Sequence, residues 1–280
     1  MSWQVAIRHR TAYTYAGEVQ SSYNEARVTP LTTDWQQVVE AATIVSPPAS
    51  VLRYWDYWGT LVDAFDVHEP HRELAVTGSS VVQTSPPVAR RAAGWEELGR
   101  AEVLEEYAEL LGPTGSVPLV DELSDAAGEL AARAATPTDG CDAAVAWVRD
   151  RLRYETGATD VTTTAAQALA GGAGVCQDFA HVTVGLLRAM GIPARYVSGY
   201  AFPSSDVPVG ADVAGQSHAW VEAWVGDWYS LDPTHGEPVG PHHVLVGRGR
   251  DYADVPPLKG IYRGAPAQGL TVTVELTRLA

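Results

Sequence analysis

Cys176, His218 and Asp232 are the residues whose types and settings suit nucleophilic chemistry at a carbonyl. Cys176 follows a glycine cluster, Gly171-Gly172-Ala173-Gly174, and heads an apolar stretch of helical spacing over about residues 177–190. Phe179, Val182, Leu186 and Leu187 share one side of that stretch. Glycines let the backbone bend sharply and let a substrate come close. A thiol at a helix start meets the positive end of the macrodipole and free N–H groups, which favour the nucleophilic thiolate. The same N–H groups suit an oxyanion on the attacked carbonyl.

His218 lies in Ser217-His-Ala-Trp-Val-Glu222, and Asp232 closes Trp228-Tyr-Ser-Leu-Asp232. Both segments read as strands, and Gly226-Asp227 between them is a turn signal. A hairpin centred on Gly226 sets His218 opposite Thr234 and Asp232 on the diagonal. That spacing is roughly 7 Å between Cβ atoms, within reach of an imidazole and a carboxylate. A register one residue off would put the two on opposite faces. Taken singly, each of the three has an ordinary explanation: a small buried thiol, a core histidine beside tryptophans, a turn acid before Pro233. Together they form a nucleophile, a base and an orienter of that base.

The elements that must hold them follow an α+β order. Residues 1–85 are rich in aromatic and β-branched segments, at 8–15, 51–67 and 73–84, broken by Pro47-Pro48, Gly59 and Gly78. After Pro86-Pro87 the chain turns Ala-, Leu- and Glu-rich, with a helical stripe at Val103, Leu104, Tyr107, Leu110 and Leu111. Residues 139–154 read as a second helix, capped by Asp139. Strand patterns return at 194–201, 217–225 and 228–232, and the tail alternates Leu270, Val272, Val274 and Leu276. The expected division is an N-terminal antiparallel β domain at 1–88, a catalytic core at 89–266, and a strand at 267–280 returning to the N-terminal domain.

Composition narrows the functions. The chain has 280 residues, is 46% apolar and carries a net charge of −15 with a single lysine, Lys259. Such a chain is a poor ligand for nucleic acid or an anionic membrane. No run of about 18 apolar residues occurs, and no apolar leader opens the sequence, so the expectation is a cytoplasmic protein with reduced thiols. Two cysteines make no disulfide framework, and Cys141 has no assignable histidine partner, which makes it structural. A metal centre is not expected. His68-Glu-Pro-His71 has its histidines three apart rather than four and a proline between them, and the adjacent His242 and His243 point different ways. No cofactor motif is present.

Four stretches, Gly174-Val-Cys-Gln-Asp-Phe-Ala-His181, Gly191-Ile-Pro-Ala-Arg-Tyr-Val-Ser-Gly-Tyr200, Ser217-His-Ala-Trp-Val-Glu222 and Leu231-Asp-Pro-Thr234, resemble the core blocks of the bacterial transglutaminase-like family. His9-Arg-Thr-Ala-Tyr-Thr-Tyr15 and the stretch from Gly247 to Pro257 are similar to its flanking regions, so the resemblance spans nearly the whole chain. It implies a papain-like core, a helix-borne cysteine packed on an antiparallel sheet, with Cys176, His218 and Asp232 on the family's triad. It also implies support from Asp178 and Gln177 at the helix start and from Tyr154 as a donor to the oxyanion. His235 departs from the pattern, which has asparagine there. Trp220 is a candidate for the substrate wall or for the core. Members of the family include proteases, amidases, cross-linkers and amide synthases. The expectation is hydrolysis of a peptide, protein or small amide through a Cys176 thioester. Transamidation to an amine stands second. A non-catalytic binding module on the same fold stands third, and it predicts a broken triad.

Overall fold

The N-terminal region is built on one long strand. β1 (Trp3–Ala26) is followed by β2 (Gln36–Ser46), β3 (Val51–Trp55), β4 (Leu61–Val67) and β5 (His71–Thr84). In this computed structural model, which describes residues 2–88, 91–204 and 206–280, β1 serves two sets of neighbours. Its first half pairs with β5 and with the C-terminal strand β13 (Ala267–Arg278), and its second half pairs with β4 and β12 (Leu258–Gly264). Alternation explains the first half: Val5, Ile7, His9 and Thr11 are buried, while Arg8 between them is exposed.

A helical layer follows. It comprises α1 (Trp95–Leu98), α2 (Ala101–Glu106), α3 (Asp121–Arg133), α4 (Pro137–Arg151), α5 (Ala165–Gly171) and α6 (Cys176–Ala189), with a two-stranded parallel pair, β6 (Arg153–Tyr154) and β7 (Ala173–Gly174), beside α6. β8 (Ala194–Ala201), β9 (Asp212–Trp224), β10 (Trp228–Leu231) and β11 (His243–Gly249) complete the core. The main sheet runs β11-β8-β9-β13-β1-β4-β3. This is the expected α+β architecture, an N-terminal antiparallel sheet followed by a helix-and-sheet core.

β9 joins the two parts. Its residues 212–215 pair with β13, and residues 216–223 pair with β8. Ala219, Val221 and Ala223 face the helical core with Phe179, Val182 and Leu186 of α6. His218, Trp220 and Glu222 alternate onto the other face. Two apolar clusters draw on both parts: Trp3, Val5 and Ile7 pack with Tyr200 and Phe202, and Leu31 packs with Trp220 and Leu245.

Several local readings are corrected. The helix expected through Leu111 stops at Glu106 and a 3₁₀ turn, Ala108–Leu110, follows it; the Tyr107 ring between them packs on Trp224, 4.9 Å between centroids. The helix expected to start at Asp139 starts at Pro137. Thr136 caps it, and Asp139 returns the bond to the Thr136 N–H in a capping box, with proline at the first helical position. In β13 Val274 and Leu276 are buried, but Leu270 and Val272 run past the core and are exposed. The boundary expected between residues 88 and 89 falls at Ala89 and Arg90, outside the described residues. Among the described residues no helix is long and apolar enough to cross a membrane.

Candidate functional site

The segment leading to Cys176 is held at every step. Gly172 ends α5 at φ +63°, the left-handed conformation that favours glycine. Ala173 and Gly174 pair with Arg153 and Tyr154, which sets Tyr154 beside the cysteine loop. Val175 is extended, and Cys176 is the first residue of α6. Asp178 Oδ2 accepts the Val175 N–H at 2.8 Å and the Thr159 hydroxyl at 2.6 Å, so this acid stabilises the helix start. Burial raises its pKa, and these hydrogen bonds oppose the rise. Gln177 Nε2 donates to the Val161 carbonyl at 3.3 Å. Its side chain is therefore committed to the loop after Tyr154, and support for an oxyanion from Gln177 falls to its backbone N–H. The Cys176 and Gln177 N–H groups lie in the first turn, where an α-helix supplies no partner.

The hairpin has the register expected from Gly226, whose φ is +100°. Trp228 pairs with Trp224 and Leu231 with Val221, and Asp232 follows directly. Asp232 Oδ2 accepts from His218 Nε2 at 2.8 Å. The other ring nitrogen of His218, Nδ1, is left for the thiol. Cys176 Sγ itself lies 4.0 Å from the Ser217 carbonyl oxygen. Burial alone lowers the His218 pKa, but hydrogen bonds to Asp232 and to Cys176 outweigh it and raise the imidazolium to about 10.

Asp232 holds more than His218. His235 Nδ1 at 2.8 Å and His243 Nε2 at 3.1 Å meet the same Oδ2. Oδ1 accepts the N–H groups of Thr234 at 2.9 Å and His235 at 3.3 Å. Burial pushes this carboxyl up, but the three imidazoles outweigh it and hold it far below the usual carboxylate range. His218, Asp232 and His243 offer atoms within 4.8 Å of one another, a spacing a metal ion tolerates. Gly240 N–H, however, donates to His243 Nδ1 at 3.2 Å. That fixes His243 as the Nε2–H tautomer, a donor to Asp232, whereas a metal ligand needs a bare Nε2. The cluster fits a saturated carboxylate better than a ligand set.

Cys176 and His218 open on a cavity of about 400 Å³. Tyr154, Ser217, Thr234 and His235 line it with the apolar Ala201, Phe202, Pro203 and Ala214. Tyr154 is 47% exposed. Burial and the nearby Cys176 raise its hydroxyl pKa. Trp220 is not in this wall. It is fully buried with Leu31, Val197 and Leu245, and its ring lies 6.2 Å behind that of His218. Trp224 and Trp228 pack on Tyr107, and Trp228 also lies under the Arg195 guanidinium. Cys141 is buried inside α4, and burial pushes its thiol pKa up. His71 spends Nδ1 on the Glu69 carbonyl. Sequence reasoning missed the contribution of His235 and His243 to Asp232. His235 was visible only as a departure from a pattern, and His243 reaches the site from β11, which no turn signal links to the hairpin.

Comparison with known proteins gives concordant matches. Residues 124–233 match the transglutaminase-like superfamily, and residues 5–83 match the bacterial transglutaminase-like N-terminal region. The chain is 45% identical to an uncharacterized protein of Mycobacterium leprae (strain TN), over 99% of this chain and 100% of that one. A 106-residue stretch, 33% of this chain and 15% of the other, is 37% identical to a protein-glutamine gamma-glutamyltransferase of Pseudomonas aeruginosa. The fold matches a crystal structure of a candidate cysteine protease from Cytophaga hutchinsonii at TM-score 0.76 and 24% identity, over 100% of this chain and 93% of that one.

Proposed function

The chain belongs to the bacterial transglutaminase-like family, and from that premise we propose that it hydrolyses amide or peptide bonds through a thioester on Cys176. One observation carries the reading: His218 binds Asp232 through Nε2, and its ring opens with Cys176 on a single cavity.

In this reaction the Cys176 sulfur attacks the carbonyl carbon and the carbonyl electrons move to oxygen. First-turn N–H groups of α6 hold that oxyanion. Tyr154, on the cavity wall beside the cysteine loop, is a second candidate donor. The His218 imidazolium gives its proton to the leaving nitrogen as the C–N bond breaks. Water then attacks the thioester, His218 takes a proton from it, and the C–S bond breaks. Asp232 holds the ring and stabilises its charged form.

Water rather than an amine is favoured by the cavity wall. Transfer to an amine requires a site that sheds water. Here Tyr154 and His235 are solvated, and Trp220, Trp224 and Trp228 lie outside the wall. Transamidation remains the second reading, supported by the match to a gamma-glutamyltransferase. The test is intact-mass detection of an acyl adduct on Cys176 after incubation with a library of peptides and small amides, with Cys176→Ala as control. Adding a primary amine to a turned-over donor then separates the readings. Amide product dominating at low millimolar amine replaces hydrolysis with transfer, and absence of any adduct removes both.

A further inference from the structure

Three imidazoles converge on one oxygen of Asp232, and they are not equivalent. His218 is the nitrogen base beside Cys176. His243 is 1% exposed, and the Gly240 N–H locks its tautomer, so its donation to Asp232 is constant. His235 differs from both. Its side chain is 43% exposed, its ring lines the cavity, its centroid is 4.9 Å from that of His218, and its Nδ1 reaches Asp232 Oδ2 at the same 2.8 Å.

A carboxylate has about four lone-pair positions over its two oxygens. Asp232 accepts five donors, three of them on Oδ2. Each N–H on Oδ2 therefore weakens the others' share of that oxygen. The consequence falls on His218, because its task has two opposed halves: it must hold a proton beside the thiolate and then release it to the leaving nitrogen.

We infer that His235 is a positioning residue of this site: by competing for Asp232 Oδ2 it limits that carboxylate's hold on the His218 imidazolium and keeps the His218 proton transferable. The inference rests on the proposed pairing of Cys176 with His218. Of the three donors His235 alone lines the cavity beside His218 and has a solvated ring, so it is the donor a bound acyl group can adjust.

The charged and titratable groups around this pair come from several elements. Cys176 faces it from the start of α6 and Tyr154 from β6. His242 and His243 face it from the β11 side. Arg149 of α4 donates to the Thr234 carbonyl beneath His235, and Glu237 and Asp142 share the cleft behind Asp232. None of these takes the place of His235 on Oδ2. Removing the ring has one sign. The His218 bond to Asp232 strengthens, and that stabilises the His218 imidazolium.

The test is the pH dependence of Cys176 alkylation by iodoacetamide, read by peptide mass in wild type, His235→Ala and His235→Phe. Melting curves for each protein report the fold. The phenylalanine keeps a ring without a donor, and it carries the test if the alanine variant does not fold. The expected result is an alkaline limit of the thiolate–imidazolium pair that moves upward by on the order of half to one pH unit. A fall in kcat with little change in KM, on amides with poor leaving groups, accompanies it. Folded variants whose alkylation profiles superimpose on wild type overturn the inference. A His218→Ala control separates the two claims: if it leaves the wild-type profile unchanged, the Cys176–His218 pairing fails before His235 is at issue.

Discussion

Gly174 and Asp178 form a single device around the cysteine: a Cβ on residue 174 would sit 2.6 Å from Oδ2 of Asp178. The glycine two residues before Cys176 makes room for the acid two residues after it. That acid closes the helix start by accepting the Val175 N–H. Gly174→Ala therefore forces Asp178 out of its place and frees the start of α6. Both Gly174→Ala and Asp178→Ala are expected to lower stability by on the order of 1 kcal/mol or more. Both should also slow Cys176 alkylation, because the Cys176 thiol and the first-turn N–H groups lose their fixed position. Wild-type melting and alkylation in Gly174→Ala would remove this account of the motif.

Asp232→Asn probes the proposed role of Asp232 as orienter of His218. The amide cannot accept three imidazole donors as a carboxylate does, and it does not compensate the His218 charge. Turnover is expected to fall on the order of 10²-fold or more. Asp232 is buried beneath three histidines, so stability should fall with it, by on the order of a few kcal/mol. Steady-state kinetics at a temperature where the variant is folded isolates the first effect. Normal turnover in the folded variant ends the triad reading.

Much of this arrangement is legible in the sequence. The His218–Asp232 diagonal followed from one turn glycine and strand alternation, because a three-residue hairpin loop centred on Gly226 leaves few registers. The cysteine at a helix start followed from the glycine cluster and the apolar stripe. What escaped depends on long-range contact. Alternation puts Trp220 on the His218 face but does not say whether that face meets solvent, and Leu31 and Leu245 cover it. Tyr107 fitted the helical stripe, yet the α-helix stops before it and its ring packs on Trp224 from a distant strand. β2 carries exposed Val39 and Ile44 and has no clean amphipathic pattern to read. His243 has no local feature that points to Asp232.

Glu222 tests the buried charge on the same strand face as His218. Arg195 and Arg248 both reach its Oε2, at 2.6 and 2.8 Å. Burial pushes Glu222 up, but the two guanidiniums outweigh it and hold it at about 2. Glu222→Gln leaves both arginines, themselves mostly buried, without a counter-charge. The expected loss is on the order of 3–5 kcal/mol, measured by urea unfolding at neutral pH. A loss below about 1 kcal/mol would mean that the arginines find water or another acid.

The pH dependence of stability should peak near the ordinary histidine value and fall on both sides, more steeply towards acid. Burial lowers His9, His181 and His242 to about 4 each, and it lowers His243 as well. In the unfolded chain these groups titrate near 6.5. Between pH 6.5 and 4 the unfolded state therefore binds more protons, and stability falls as pH falls through that window. His218 has the opposite sign, since its folded value is raised to about 10. Its contribution is complete below 6.5 and declines as pH rises from 6.5 to 10. One proton difference corresponds to a slope of roughly 1.4 kcal/mol per pH unit, so several histidines on the acid side outweigh one on the alkaline side. Asp232 and Glu222 are held low, so their contributions are lost only as pH falls through the ordinary carboxylate values and below. Urea midpoints at pH 4.5, 6.5 and 9 give the shape directly. His9→Gln should flatten the acid limb, and His218→Gln should flatten the alkaline one. Equal midpoints at pH 4.5 and 6.5 would show that the histidines of the core are hydrated in the native state, contrary to the burial of His9 against Tyr200 and of His181 against Tyr196.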